Sequence, residues 1–186
     1  TTSARGRLYA QVEVASQPDL LPFEAQDKCF SIRRDYQRIQ NNGALEPAEN
    51  LKIGDLILVS LHTTIAGREH YLAIEDRLPS ILEAINPAFK SRTKESARHG
   101  KWKRLWPNHT EIHKDRVLFF QDYLYQGGEY TIQYLARVIA PGSATAPPAK
   151  IESMYEPQRH GLSATKRLSA SPLQAPNNNE PPVAVR

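Results

Sequence analysis

A chain of 186 residues, 40% of them hydrophobic, is long enough to bury one sizeable core, and its single cysteine, Cys29, excludes an intramolecular disulfide framework. Its longest apolar runs, LILV and VLFF, fall far short of the about 20 residues that a membrane helix needs, and the opening TTSARGRLY has no apolar stretch of the signal-peptide kind. The net charge of +4 is local: residues 90–104, KSRTKESARHGKWKR, hold seven Lys or Arg and one Glu, or +6, which leaves −2 for the remainder.

In chain order the pattern is strand after strand. RLYAQVEV, residues 7–14, alternates Leu8, Ala10, Val12 and Val14 against polar neighbours, the period-2 signature of a half-buried strand. KCFSIRRDY is a weaker strand, and Cys29 within it is expected to be a core thiol, because DKCFS fits no paired-cysteine metal motif and no nucleophile signature. LKIGDLILVSLHTT and HYLAIED, separated by the turn signal AGRE, are expected to pair with each other as antiparallel neighbours. LPSILEAINP, residues 78–87, is the one segment with helical character, and Pro87 limits it to two turns. RVLFFQDYL and EYTIQYLARVIAPG flank YQGG, a connection suited to a hairpin, and Tyr130, Ile132, Tyr134, Ala136 and Val138 share the core face of the second arm. Many short strands with almost no helix predict a mostly β fold, an antiparallel β-sandwich with at most one short helix, over residues 1–160. Residues 161–186 are rich in Ser, Pro and Asn, a composition that does not offset its ordering entropy, and are expected to form a disordered tail. The start of the chain, without Met and almost at once strand-like, reads as a cut in a longer polypeptide.

Few residues offer chemistry. In HTEIH, His109, Glu111 and His113 share one strand face and could present three ligands to zinc, yet the spacing is not that of the helical zinc-protease motif, and an exposed polar face is preferred: no metal and no cofactor is expected. Lys101, Trp102, Lys103 and Arg104 interleave cations with an aromatic and form the candidate loop for a nucleic acid or other anionic partner, although no nucleic-acid module is matched and a solvated loop is the plainer reading. Asn108 to Thr110 is a glycosylation acceptor only in a eukaryotic secretory pathway. Glu75 and Asp76 are adjacent on a strand, face opposite ways, and make poor acid and base partners, so an enzyme is not expected.

The blocks IGDLILVSL, HYLAIEDRLPSILEAINP, HTEIHKDRVLFFQDYL and GEYTIQYLARVIAPGSATAPPAKIESMYEP follow one another as in the final domain of bacterial alpha-2-macroglobulins, and the chain resembles that family over residues 7–160. It departs from the family at Ser80-Ile81, where an Ala-Gly pair is usual. The resemblance implies a macroglobulin-like sandwich in an exported, periplasmic or envelope-associated protease trap, non-enzymatic and monomeric, whose partners are upstream domains of the same polypeptide and target proteases. This domain itself would make no membrane contact. Cys29 is followed by Phe30-Ser31-Ile32 rather than by a thioester motif, so a thioester would belong to an upstream domain. The resemblance further implies that Met154 and Tyr155 shield that bond from water and amines until a protease cuts the bait. For both side chains to reach one target, they must leave the strand alternation, and Pro157 with Pro147-Pro148 favours that break. The other reading places Met154 in the domain's own core and Tyr155 at its edge.

Overall fold

The computed structural model describes residue 12, residues 23–85 and residues 102–172. Among these residues every regular element is a strand. One six-stranded sheet runs β1 (Gln26–Lys28), β14 (His160–Leu162), β13 (Lys150–Ser153), β6 (Glu69–Arg77), β10 (Arg116–Leu124) and β9 (His109–Ile112). The facing sheet runs β3 (Leu45–Pro47), β2 (Phe30–Ile39), β5 (Leu56–Ile65), β11 (Gly128–Val138) and β7 (Leu82–Ile85), with β8 (Lys103–Arg104) parallel to β11. A small third sheet joins β12 (Gly142–Ala146), β15 (Lys166–Ser171) and β4 (Leu51–Lys52).

The core is where the two large sheets meet, as period-2 alternation requires. Ile57, Val59 and Leu61 from β5, and Tyr130, Ile132, Tyr134, Ala136 and Val138 from β11, pack toward Leu72 and Ile74 of β6, Val117 and Phe119 of β10, and Ile151 of β13. At the centre lies a charge. Arg34 on β2 is buried at a position where Phe30, Ile32 and Tyr36 mark the inward face, and its guanidinium pairs with Asp76 on β6, across the sandwich. Tyr134 on β11 donates its hydroxyl to the other Asp76 oxygen at 2.7 Å, and Arg34 donates to the carbonyls of Arg77 at 3.2 Å and Pro147 at 2.6 Å. Burial pushes the Tyr134 phenol well above its ordinary range, which keeps it a donor. A guanidinium does not give up its proton, so Asp76 is its counter-charge.

The strand pairing differs from the sequence expectation in two places. Leu56–Ile65 does not pair with Glu69–Arg77: β5 takes β2 and β11 as neighbours, while β6 takes β13 and β10 in the opposite sheet. Likewise β10 and β11 form no hairpin, because the Tyr125–Gly127 connection carries the chain from one sheet to the other. Both connections are arches. They touch: a Cβ on Gly127 would lie 2.4 Å from the Ala66 carbonyl oxygen, so glycine is what lets one arch nest on the other.

Other expectations are corrected as well. Residues 78–85 are not helical; Leu82 N–H closes a turn onto the Pro79 carbonyl at 2.9 Å, and Leu82–Ile85 then adds an edge strand to β11. Leu78, Ile81 and Leu82 do face the core together, which is the source of the helix-like spacing. Cys29 is exposed rather than a core thiol, because its φ of 76° breaks the alternation and hands the buried position to Phe30. Order continues past residue 160: His160–Leu162 and Lys166–Ser171 are strands, and the latter pairs with β12 along its length, with Leu168 and Ala170 buried. Backbone pairing plus the two apolar anchors supplies what composition failed to reveal. Residues 173–186, and the 7–14 strand apart from Val12, lie outside the described residues.

Two stability outcomes are expected. In urea unfolding Arg34→Met costs about 3–5 kcal/mol by leaving Asp76 buried without its counter-charge, and Arg34→Met combined with Asp76→Leu recovers part of that loss, the Tyr134 hydroxyl being left without its acceptor. Gly127→Ala costs about 1–3 kcal/mol through its backbone clash, whereas Gly67→Ala, which meets nothing within 4 Å, leaves stability within about 0.5 kcal/mol or raises it.

Candidate functional site

The tip at residues 154–155 begins where β13 stops. Lys150, Ile151, Glu152 and Ser153 alternate outward and inward on β13, with Ile151 and Ser153 buried. The loop then folds on itself: Glu156 N–H donates to the Ser153 carbonyl at 3.2 Å, Arg159 N–H to the Glu156 carbonyl at 2.8 Å, and Ser153 N–H to the Arg159 carbonyl at 3.1 Å. Pro157 has no N–H to extend the ladder. Freed from strand geometry, both neighbours face outward, Met154 at 50% and Tyr155 at 76% exposure. Neither fills the domain's own core.

A third side chain joins them. Tyr71 on β6, with φ 52°, accepts the Met154 N–H on its carbonyl at 2.9 Å, and its ring meets Tyr155 edge-on at 5.1 Å between centroids. Tyr71 is itself 47% exposed. The tip therefore presents two phenols and a thioether, with Met154 continuing onto a shallow depression where it joins Ala73 of β6 and Leu118 and Phe120 of β10, bordered by Glu75, Lys150 and Glu152. Sequence reasoning missed Tyr71 because contact across a sheet between residues so distant in the chain leaves no local pattern.

The remaining candidates are scattered. Glu75 and Asp76 point to opposite faces: Asp76 is in the core, and Glu75 accepts from Arg77 at 3.0 Å and Arg116 at 3.3 Å on the outside. His109 and His113 each approach Glu111, at 3.5 and 3.4 Å, on an exposed edge, and among the described residues no group of three His, Cys, Asp or Glu side chains is arranged to hold a metal ion. The Asn108 side chain accepts from Asp122 N–H at 2.9 Å. Of the basic run, Lys101 lies outside the described residues, Lys103 and Arg104 form exposed β8, and the Trp102 ring rests 4.9 Å from His62. The aromatic that stands out to solvent there is Trp106, with the Arg104 guanidinium 3.9 Å over its ring. No helix among the described residues is long and apolar enough to cross a membrane.

Comparison with known proteins gives one family. Residues 30–158 match the family described as the bacterial alpha-2-macroglobulin MG10 domain. An alpha-2-macroglobulin homolog of Nostoc sp. is 29% identical over 126 residues, covering 67% of this chain and 6% of that protein. Alpha-2-macroglobulin of Escherichia coli is 25% identical over 168 residues, covering 87% of this chain and 10% of that protein. The crystal structure of trypsin-activated alpha-2-macroglobulin from Escherichia coli superposes with a TM-score of 0.64 at 26% identity, over 80% of this chain and 11% of that one. The chain thus spans a tenth or less of the length of the curated relatives it matches.

Because the tip is outside the core, Met154→Ala is expected to leave stability within about 0.5 kcal/mol, and Tyr155→Ala to cost no more than about 1.5 kcal/mol from the lost ring contact. Ile151→Ala, two residues before the end of β13, costs about 2–5 kcal/mol in the same urea titration.

Proposed function

The chain belongs to the bacterial alpha-2-macroglobulin MG10 domain family, and we propose that it works as the shielding module of a protease-trapping polypeptide, with Met154 and Tyr155 covering a thioester carried by a neighbouring domain. The observation that carries this reading is the outward presentation of both side chains on one loop held by backbone bonds at each end.

The chemistry fits the residues. An acyl thioester is lost to water and amines unless both are kept away, and a polarizable thioether beside an aromatic plate makes an adaptable dry cover. Burying what remains exposed of the two side chains against a partner contributes at most about 1.5–3 kcal/mol each, enough to favour the closed arrangement and small enough for a rearrangement to overcome. Tyr71, standing edge-on to Tyr155, widens the cover and restricts the ring that does the covering.

In this reading the domain is a binding and shielding part rather than a catalyst. Its first partner is the thioester-bearing domain of the same polypeptide. Proteases meet the assembled trap, as the trypsin-activated Escherichia coli relative illustrates for that protein. The polypeptide is exported and acts at the cell envelope.

The test uses the full-length polypeptide before any protease is added. Labelled methylamine should be incorporated at least ~10-fold faster when Met154→Ala and Tyr155→Gly are combined, a loss of about 1.4 kcal/mol of protection or more. Incorporation at the unmodified rate, or no methylamine-reactive acyl group at all, would remove the proposal.

A further inference from the structure

We propose that Arg159 is the positioning residue of the Met154–Tyr155 tip, holding it in its outward posture through an ion pair with Glu69. The functional meaning rests on the shielding reading above; the geometry does not. Arg159 sits at the neck of the loop, where its carbonyl receives Ser153 N–H at 3.1 Å and its own N–H reaches back to Glu156 at 2.8 Å. Its guanidinium leaves the loop in three directions. It pairs with Glu69 at the start of β6, reaches Glu156 within the loop at 3.3 Å, and lies 5.3 Å over the ring of Phe30 at the start of β2. One side chain therefore ties the loop to a strand of each large sheet.

Glu69 gives the clamp its direction. Its side chain is 7% exposed, unlike the half-open carboxylate of Glu156, and Arg159 is the one cation paired with it among the described residues. An exposed ion pair would matter little, but a carboxylate this buried is strongly tied to its partner. Glu69 also stands two residues before Tyr71, so the anchor and the residue that receives the Met154 N–H lie on one short stretch of β6.

The backbone on both sides of the loop is held in an uncommon conformation. Tyr71, under Met154, has φ 52°, and Cys29, bridged to His160 just after the loop, has φ 76°. Non-glycine residues keep left-handed backbone only where the surroundings over-determine it. Arg159 adjoins both points along the chain: it precedes His160, which bridges Cys29, and it pairs with Glu69, two residues before Tyr71.

The chain carries its own reporter, since Met154 is its single methionine. Methyl-labelled methionine then gives one NMR resonance from the tip, and the Met154 amide reports its bond to Tyr71 through hydrogen exchange. In Arg159→Gln, Met154 amide exchange should accelerate at least ~10-fold and its methyl resonance move toward the random-coil position, while amides of β5 and β11 keep their protection. Arg159→Lys, which keeps the charge and loses the fork, should restore part of both signals. Should Arg159→Gln fail to fold, Glu69→Gln is read in the same way. Unchanged Met154 signals in a folded variant overturn the proposal, and so does loss of protection in β5 and β11 in step with Met154. Methylamine uptake by the full-length variant separates the two readings: a loosened tip with unaltered uptake removes the shielding role and keeps the clamp, whereas an unaltered tip removes the clamp whatever the uptake.

Discussion

The pairing of Arg34 with Asp76 is the constraint on which the rest of the molecule depends. Each is a charge at an inward position of its strand, and neither is tolerable in the core without the other. Because Arg34 is on β2 and Asp76 on β6, the pair fixes one sheet relative to the other at a single register. Tyr134 adds a strand to that fixed point, and the bond to the Pro147 carbonyl adds the segment that leads into β13. A sandwich built only from aliphatic side chains could slide by two residues with modest penalty, whereas this one has a single position in which its central charges meet.

From that point the geometry runs outward to the tip. Pro147 is anchored, Ala149 and Ile151 are buried, and Ser153 is the last inward residue before the loop turns back. The tip therefore stands at a fixed height above the sheet although its own side chains contribute almost nothing to holding the domain together. Arg159 and Glu69 repeat the same device on a smaller scale at the rim: a nearly buried carboxylate and a guanidinium join loop to sheet. Rigid support below and apolar side chains above are what the proposed covering role would require.

The arches explain why the domain can be so strand-rich with short connections. Two crossings, at residues 66–68 and 125–127, lie against each other, and Gly127 is the residue whose missing side chain makes room. Short connections normally signal strand partners, and here they signal a change of sheet. Backbone packs directly on backbone where the two arches meet, and the Tyr130 hydroxyl donates to the Gln126 carbonyl beside them.

Alternation along β11 determined from sequence that Tyr130, Ile132, Tyr134, Ala136 and Val138 face inward, because period 2 is a property of the extended chain itself. The block order around Met154 and Tyr155 likewise carried the family and singled out the tip. What the sequence could not contain was partnership. Alternation names a face and not a neighbour, so the arches read as hairpins; β2 read as weak because Arg34 interrupts its apolar face, although that charge is what the core is built around. Leu78, Ile81 and Leu82 fit a helical face equally well until the open edge of β11 claimed the strand, and Lys166–Ser171 looked like tail until β12 offered its edge. Each of these was decided by tertiary structure for one reason: hydrogen bonds and ion pairs between segments far apart in the chain exist only once the sheets have met, and nothing local in the sequence records them.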